Sequence, residues 1–168
     1  MGLFRRAARP EDGLVVPHPH TPADASRAVR VDPLNAAEIV WAAQHREIIA
    51  GLLDDVVDAQ TVGNLFDRVE ATWVSSDDRA DPTPLIHAFG VALGDLVSER
   101  VPGLVWGTAH GDGDPELVLS HPQHDLVVFP ITSVGRHWGH APAGWLPGYV
   151  HEVSGDALAI LSGHRSAL

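Results

Sequence analysis

The 168-residue chain contains no cysteine, and this absence removes disulfide bridges, thiolate metal sites such as zinc ribbons, and cysteine nucleophiles from consideration. A cytoplasmic location is the expectation that follows. Lysine is missing as well: all eleven basic residues are arginine. That excludes a phosphate-binding loop ending in Gly-Lys-Ser/Thr, and neither a dinucleotide fingerprint nor a Gly-x-Ser-x-Gly elbow is present. Long hydrophobic runs are also lacking. Residues 48–53 and 126–130 fall far short of the roughly 20 apolar residues that a membrane helix needs, so no membrane span is expected. Arg5 and Arg6 are followed by charge where a signal peptide would be apolar, and Arg6 stands where a myristoylation motif requires Ser or Thr.

Positive charge is scarce. Eleven arginines against 22 acids leave a formal net charge of -11, which repels a phosphate backbone, so direct nucleic-acid binding is not expected. The partner such a surface suits is a basic protein. Eleven histidines would cancel the net charge if all were protonated, in keeping with a pI near 5.3, and a solubility minimum is expected between about pH 5 and 6. What the chain does have is a hydrophobic content of 45%, ordinary for a folded protein. Its length suits one domain that buries roughly 70% of the unfolded surface.

Residues 1–31 carry Pro10, Pro17, Pro19 and Pro22 with no sustained period, and read as a flexible, extended arm whose Arg5, Arg6 and Arg9 can meet an acidic surface. Residues 32–168 read as a single α+β domain. Asn35 and Glu38 form a capping-box pattern ahead of a helix over 36–59, with Trp41, Ile48, Ile49, Leu52, Leu53 and Val56 on its core face. A turn at 58–60 leads to a second helix capped by Thr61, with Val62, Leu65, Phe66, Val69 and Trp73 as its buried stripe. After an acidic loop at 75–82, Thr83 and Pro84 open a third helix that buries Leu85, Phe89, Leu93, Leu96 and Val97 and ends before Pro102. Gly90 and Gly94, four residues apart inside it, predict close approach of another backbone to that face.

Beyond Gly103 the period becomes extended. Strands are predicted over 104–109, 116–120 and 125–129, joined by connections short enough for an antiparallel meander. The third is apolar on both faces and therefore internal, and Pro130 ends it. Thr132 or Ser133 then caps a short helix through Trp138, a Pro/Gly-rich loop follows over 141–148, and Ser154 caps a last short helix carrying Leu158 and Leu161. The expected fold is thus α+β, with N-terminal helices packed on a three-stranded antiparallel meander and short C-terminal helices.

The runs Leu85-Ile86-His87-Ala88-Phe89-Gly90-Val91-Ala92-Leu93-Gly94-Asp95, Leu104-Val105-Trp106, Leu117-Val118-Leu119-Ser120-His121-Pro122 and Leu126-Val127-Val128-Phe129-Pro130-Ile131 resemble the bacterial domain-of-unknown-function family 3806 over about residues 60–140. The resemblance implies a fold and boundaries, and no activity. Such domains often follow Phe-Pro with a serine and a basic pair. Here Ser133 is present and the pair is reduced to Arg136 and His137.

The pairs His121/His124 and His137/His140 have the residue type but not the context of metal ligands, since Pro122 makes the first a turn and Gly139 weakens the second. Residues 112–116 lack the ligand spacing and terminal Glu of a calcium loop and read as a hairpin connection. No metal and no cofactor is expected. Asp95, beside Gly94, is expected to pair with Arg136 or to meet a partner through the gap the glycines leave. The expected binding region follows the third strand, where Arg136, Trp138, His140 and Trp145 collect near Tyr149. The function expected from charge and missing motifs is a noncatalytic, acidic cytoplasmic protein-interaction module, with an inhibitor or immunity-type protein as one concrete form. The alternative is a small metal- or histidine-dependent hydrolase using His121, His124, Asp95 or His137.

Overall fold

Asn35 caps the first helix as its sequence requires: its side chain accepts the Glu38 N–H at 3.0 Å, and the Glu38 carboxylate accepts the Asn35 N–H at 2.8 Å. The computed structural model describes residues 14–15, 29–53, 56–111 and 113–165, and the contacts expected of Arg5, Arg6 and Arg9 lie outside them. The elements in chain order are β1 (Leu14–Val15), β2 (Arg30–Pro33), α1 (Ala36–Leu52), α2 (Ala59–Ser75), α3 (Thr83–Arg100), β3 (Val105–His110), β4 (Glu116–Ser120), β5 (Val127–Val128), α4 (Pro130–His137) and α5 (Trp145–Arg165). The fold is α+β.

Two strands flank the expected meander. The sheet runs β1-β5-β4-β3-β2, every pair antiparallel, so β5 is internal as its two apolar faces require. In β2, Val31 pairs with Ala109 and Asp32 with Thr108. The boundary drawn after residue 31 therefore falls inside a strand. Four residues that include Asp32 and Pro33 carry no readable alternation, and β2 exists because β3 offers it an edge.

Helix α1 ends at Leu52, not 59, and buries only Ala42 and Ile49; Ile48 and Leu52 are half exposed, and Val56 is open. It packs chiefly on α3, and a helix covered from one side buries one narrow stripe. Asp58, not Thr61, caps α2: its carboxylate accepts the Gln60 and Thr61 N–H groups, and Thr61 returns a bond to the Asp58 N–H as the third residue of a capping box. Helix α3 starts at Thr83, held by Asp81, with Pro82 at the cap position.

Phe66, Phe89, Leu93, Leu119, Leu126, Leu146 and Val150 join α2, α3, α5 and the sheet in one core. Gly90 and Gly94 face the start of α4 and β3: a Cβ at Gly90 would stand 2.7 Å from Ile131 Cα, and one at Gly94 would strike the Trp106 ring. The predicted close approach is thus real at Gly90, where backbone meets backbone.

Pro130 both ends the sheet and opens α4, so neither Thr132 nor Ser133 is a cap. Thr132 instead donates to the Glu116 carboxylate, and Ser133 lies inside the helix. The expected loop over 141–148 stops at Gly144, because Pro147 falls in the first turn of α5, where its missing N–H leaves no helical bond unmade. Ser154 is consequently a buried mid-helix residue, and α5 is one helix of 21 residues in place of the short ones expected.

Candidate functional site

On α5, Trp145, Tyr149, Glu152 and Asp156 recur at steps of four, three and four, which places them on one face. This face and His137 of α4 line a cleft of about 360 Å3. What holds the cleft in shape is the turn between α4 and α5. Gly139 and Gly144 have φ of +85° and +77°, a region open to glycine at little cost. Two acids one helical turn apart on α2 grip that turn. The buried Glu70 carboxylate accepts the Gly139 N–H at 2.6 Å and the Ala141 N–H at 3.2 Å, and Asp67 accepts the Gly144 N–H at 2.9 Å.

The hydrogen-bond roles at the cleft follow from donor counts. Ser133 has one hydroxyl proton and donates it to the Phe129 carbonyl at 2.8 Å, so at the 2.7 Å contact between Ser133 Oγ and Tyr149 Oη the tyrosine donates. His137 Nδ1 lies 2.8 Å from the Ser133 carbonyl. A carbonyl only accepts, so Nδ1 carries the proton and Nε2 of the neutral ring is left as an acceptor. The His137 ring stacks on Trp145, centroids 4.3 Å apart and planes within 22°, and His140 stacks beyond it at 6.2 Å. Glu152 and Asp156 are exposed and make no hydrogen bond or ion pair among the described residues.

The cleft therefore presents two carboxylates and an imidazole nitrogen beside an aromatic wall. Acceptors dominate. The chemistry that suits them is a cationic donor, a guanidinium or an ammonium group.

The five residues expected at a binding surface divide. Trp145 lines the cleft, half buried; His140 stands exposed against the His137 ring, and Arg136 is exposed on α4 outside the cleft lining. Trp138 is a core residue, 8% exposed, with its ring against Phe66, Phe89 and Trp73 and its Nε1 buried without a hydrogen-bond partner among the described residues. Asp95 pairs with Arg46, not Arg136: the contact is bidentate at 2.7 and 2.9 Å, and Trp106 Nε1 donates to the same carboxylate at 2.8 Å. Both partners are distant in sequence, so nothing local announced them.

His121 and His124 form a turn with ring centroids 4.5 Å apart, and the His121 ring covers Gly103, whose φ is +89°. Among the described residues no three His, Asp or Glu side chains assemble as a metal-binding group. Sequence reasoning missed Glu152 and Asp156. Their signal was the i, i+4 spacing in line with Trp145 and Tyr149, hidden once residues 141–148 were read as a loop.

A family model described as Domain of unknown function (DUF3806) matches residues 61–149, more than half of the chain. No curated protein and no solved structure matches the chain.

Proposed function

We propose, for a chain that belongs to the DUF3806 family, that it is a noncatalytic, acidic protein-interaction module of the cytoplasm, and that the α4–α5 cleft takes a basic side chain of a protein partner. The net charge of -11 supports the sign of the partner. The single observation that carries the reading is the pair Glu152 and Asp156, exposed carboxylates with no partner among the described residues, set beside the His137 and Trp145 rings. An inhibitor that covers the basic surface of a toxin or nuclease is one concrete form.

The test uses the full chain and an arginine-rich peptide, with a glutamate-rich peptide as the control. Fluorescence anisotropy at low salt should show binding of the basic peptide alone, weakening as salt rises. Glu152→Gln with Asp156→Asn should lower the affinity more than about tenfold, as expected for charge-assisted contacts. Equal binding by the double variant and the native chain would overturn the cleft as the docking point. Absence of salt-sensitive binding would overturn the basic partner itself.

A further inference from the structure

A second cleft, of about 740 Å3, opens where α2 starts, α3 ends and α5 passes between them. Three of its features have no use within the chain. Ser154 is 4% exposed and lines this space, yet its hydroxyl has no hydrogen-bond partner among the described residues. A helical serine ordinarily bonds back to the carbonyl one turn earlier. Ser162 on the same helix does so, to Leu158 at 2.7 Å, and Ser154 does not. Its neighbour Gly155 lies in the interior of α5, where glycine weakens a helix, and a Cβ there would meet nothing within 4 Å. Gly90 and Gly94 are glycine because α4 and β3 press on them, whereas Gly155 faces open cleft. Arg100, in the last turn of α3, makes no ion pair or hydrogen bond among the described residues, although the chain holds twice as many acids as arginines.

Asp58 lines the same cleft as Arg100. Its Oδ1 accepts the Gln60 and Thr61 N–H groups, and its Oδ2 accepts no hydrogen bond among the described residues. The cleft thus carries one cation and one anion with spare hydrogen-bonding capacity, the His151 ring, an unused hydroxyl, and an apolar wall of Pro147 and Leu158. A lone phosphate would meet Asp58 unfavourably, and a lone amine would meet Arg100 unfavourably. A molecule bearing both charges satisfies both residues.

We infer that this cleft binds a small zwitterion, a free α-amino acid with an apolar side chain, its carboxylate on Arg100 and its ammonium on Asp58. Gly155 lets the ligand approach the α5 backbone, and Ser154 supplies a further hydrogen bond to its carboxylate.

The probe is L-leucine, titrated into the 15N-labelled full chain, with isocaproate and isoamylamine as analogues lacking the ammonium and the carboxylate. Leucine should shift the amides of residues 58–60, 100 and 151–158, and each analogue should bind at least about tenfold more weakly, the loss expected for one charge-assisted contact. Arg100→Gln and Asp58→Asn should weaken leucine by a similar factor, and asparagine retains the helix cap. Gly155→Ala should raise the melting temperature while weakening leucine, a combination that a purely structural glycine would not give. Leucine that leaves those amides unmoved overturns the inference, as does isocaproate or isoamylamine binding as tightly as leucine.

Discussion

The Glu70 carboxylate of α2 accepts the Gly139 backbone N–H at 2.6 Å across 69 residues of chain. A second bond, from Ala141, ends on the same oxygen. Because Glu70 is 7% exposed, removing its side chain leaves two donors with little access to water. Glu70→Ala is expected to cost about 3 kcal/mol and Glu70→Gln about half of that, since an amide oxygen still accepts but without charge. Urea denaturation of the three proteins checks both values. The same substitutions should loosen the turn that seats Trp145, seen as a red shift of tryptophan emission.

Arg46 and Asp95 tie α1 to α3, and Trp106 adds a bond from β3. Hydrogen bonding to Asp95 raises the Arg46 pKa, with burial opposing it. The Arg46 side chain is 41% exposed, so solvent screens the pair, and a double-mutant cycle over Arg46→Ala and Asp95→Ala should give a coupling of only about 0.5–1 kcal/mol. Asp95→Ala alone should cost more than Arg46→Ala, because it also strands the Trp106 N–H.

Glycines on two helices should respond to alanine in opposite directions. Gly90→Ala places a methyl against the Ile131 backbone and should destabilise by about 1–3 kcal/mol despite better helix propensity. Gly155→Ala meets nothing and should stabilise by about 0.5–1 kcal/mol. Thermal denaturation of both variants, compared with the native chain, reads the two signs directly.

His87 sits on α3 against His45 and Trp41 of α1, ring centroids 5.6 and 5.1 Å away. Burial, then repulsion from His45, lowers its pKa, with Asp81 opposing. Burial followed by His124 lowers that of His121. A folded-state histidine pKa below the unfolded value of about 6.5 makes the neutral ring the form the fold prefers. Stability is then full above that value and falls as pH drops from about 6.5 toward the folded pKa, below which the slope ends. The urea midpoint should decline between pH 7.5 and 5.5, and more shallowly in His87→Gln. Asp58 and Asp81, lowered chiefly by bonds from Thr61 and Thr83, act further down. Their contribution is present above the unfolded carboxylate value and is lost as pH falls below about 3.9.

Near the pI of 5.3 the chain loses its net negative charge as histidines protonate, so light scattering should peak between about pH 5 and 6. Added salt should raise solubility there by screening attraction between unlike patches on neighbouring molecules.

Local signals were enough for the start of α1, the buried stripe of α2 and the meander. Asn35 with Glu38, the stripe Val62, Leu65 and Phe66, and the apolar run of β5 all depend on residues within one or two turns or strands of each other. The errors cluster where a distant element decides. Strand β2 forms on the edge of β3, and the apolar face of α1 stays half open because chiefly α3 reaches it. Pro147 opens a helix in place of extending a loop, since the core needs Leu146, Val150 and Val153 on one face. At the cleft, Trp145 was readable as part of the aromatic region after the third strand, but Trp138 was not readable as core.

Composition and short-range pattern by themselves determined the sign of the charge, the absence of cysteine and lysine chemistry, the α+β class and the capped start of α1, because each is a property of residues adjacent in the chain. Tertiary structure alone decided that Asp95 faces Arg46, that Glu70 holds the turn at Gly139, and that Ser154 and Gly155 border an open cleft. The physical reason is range: a hydrogen bond or a packing contact acts over a few ångströms, and only folding brings residues tens of positions apart within that distance.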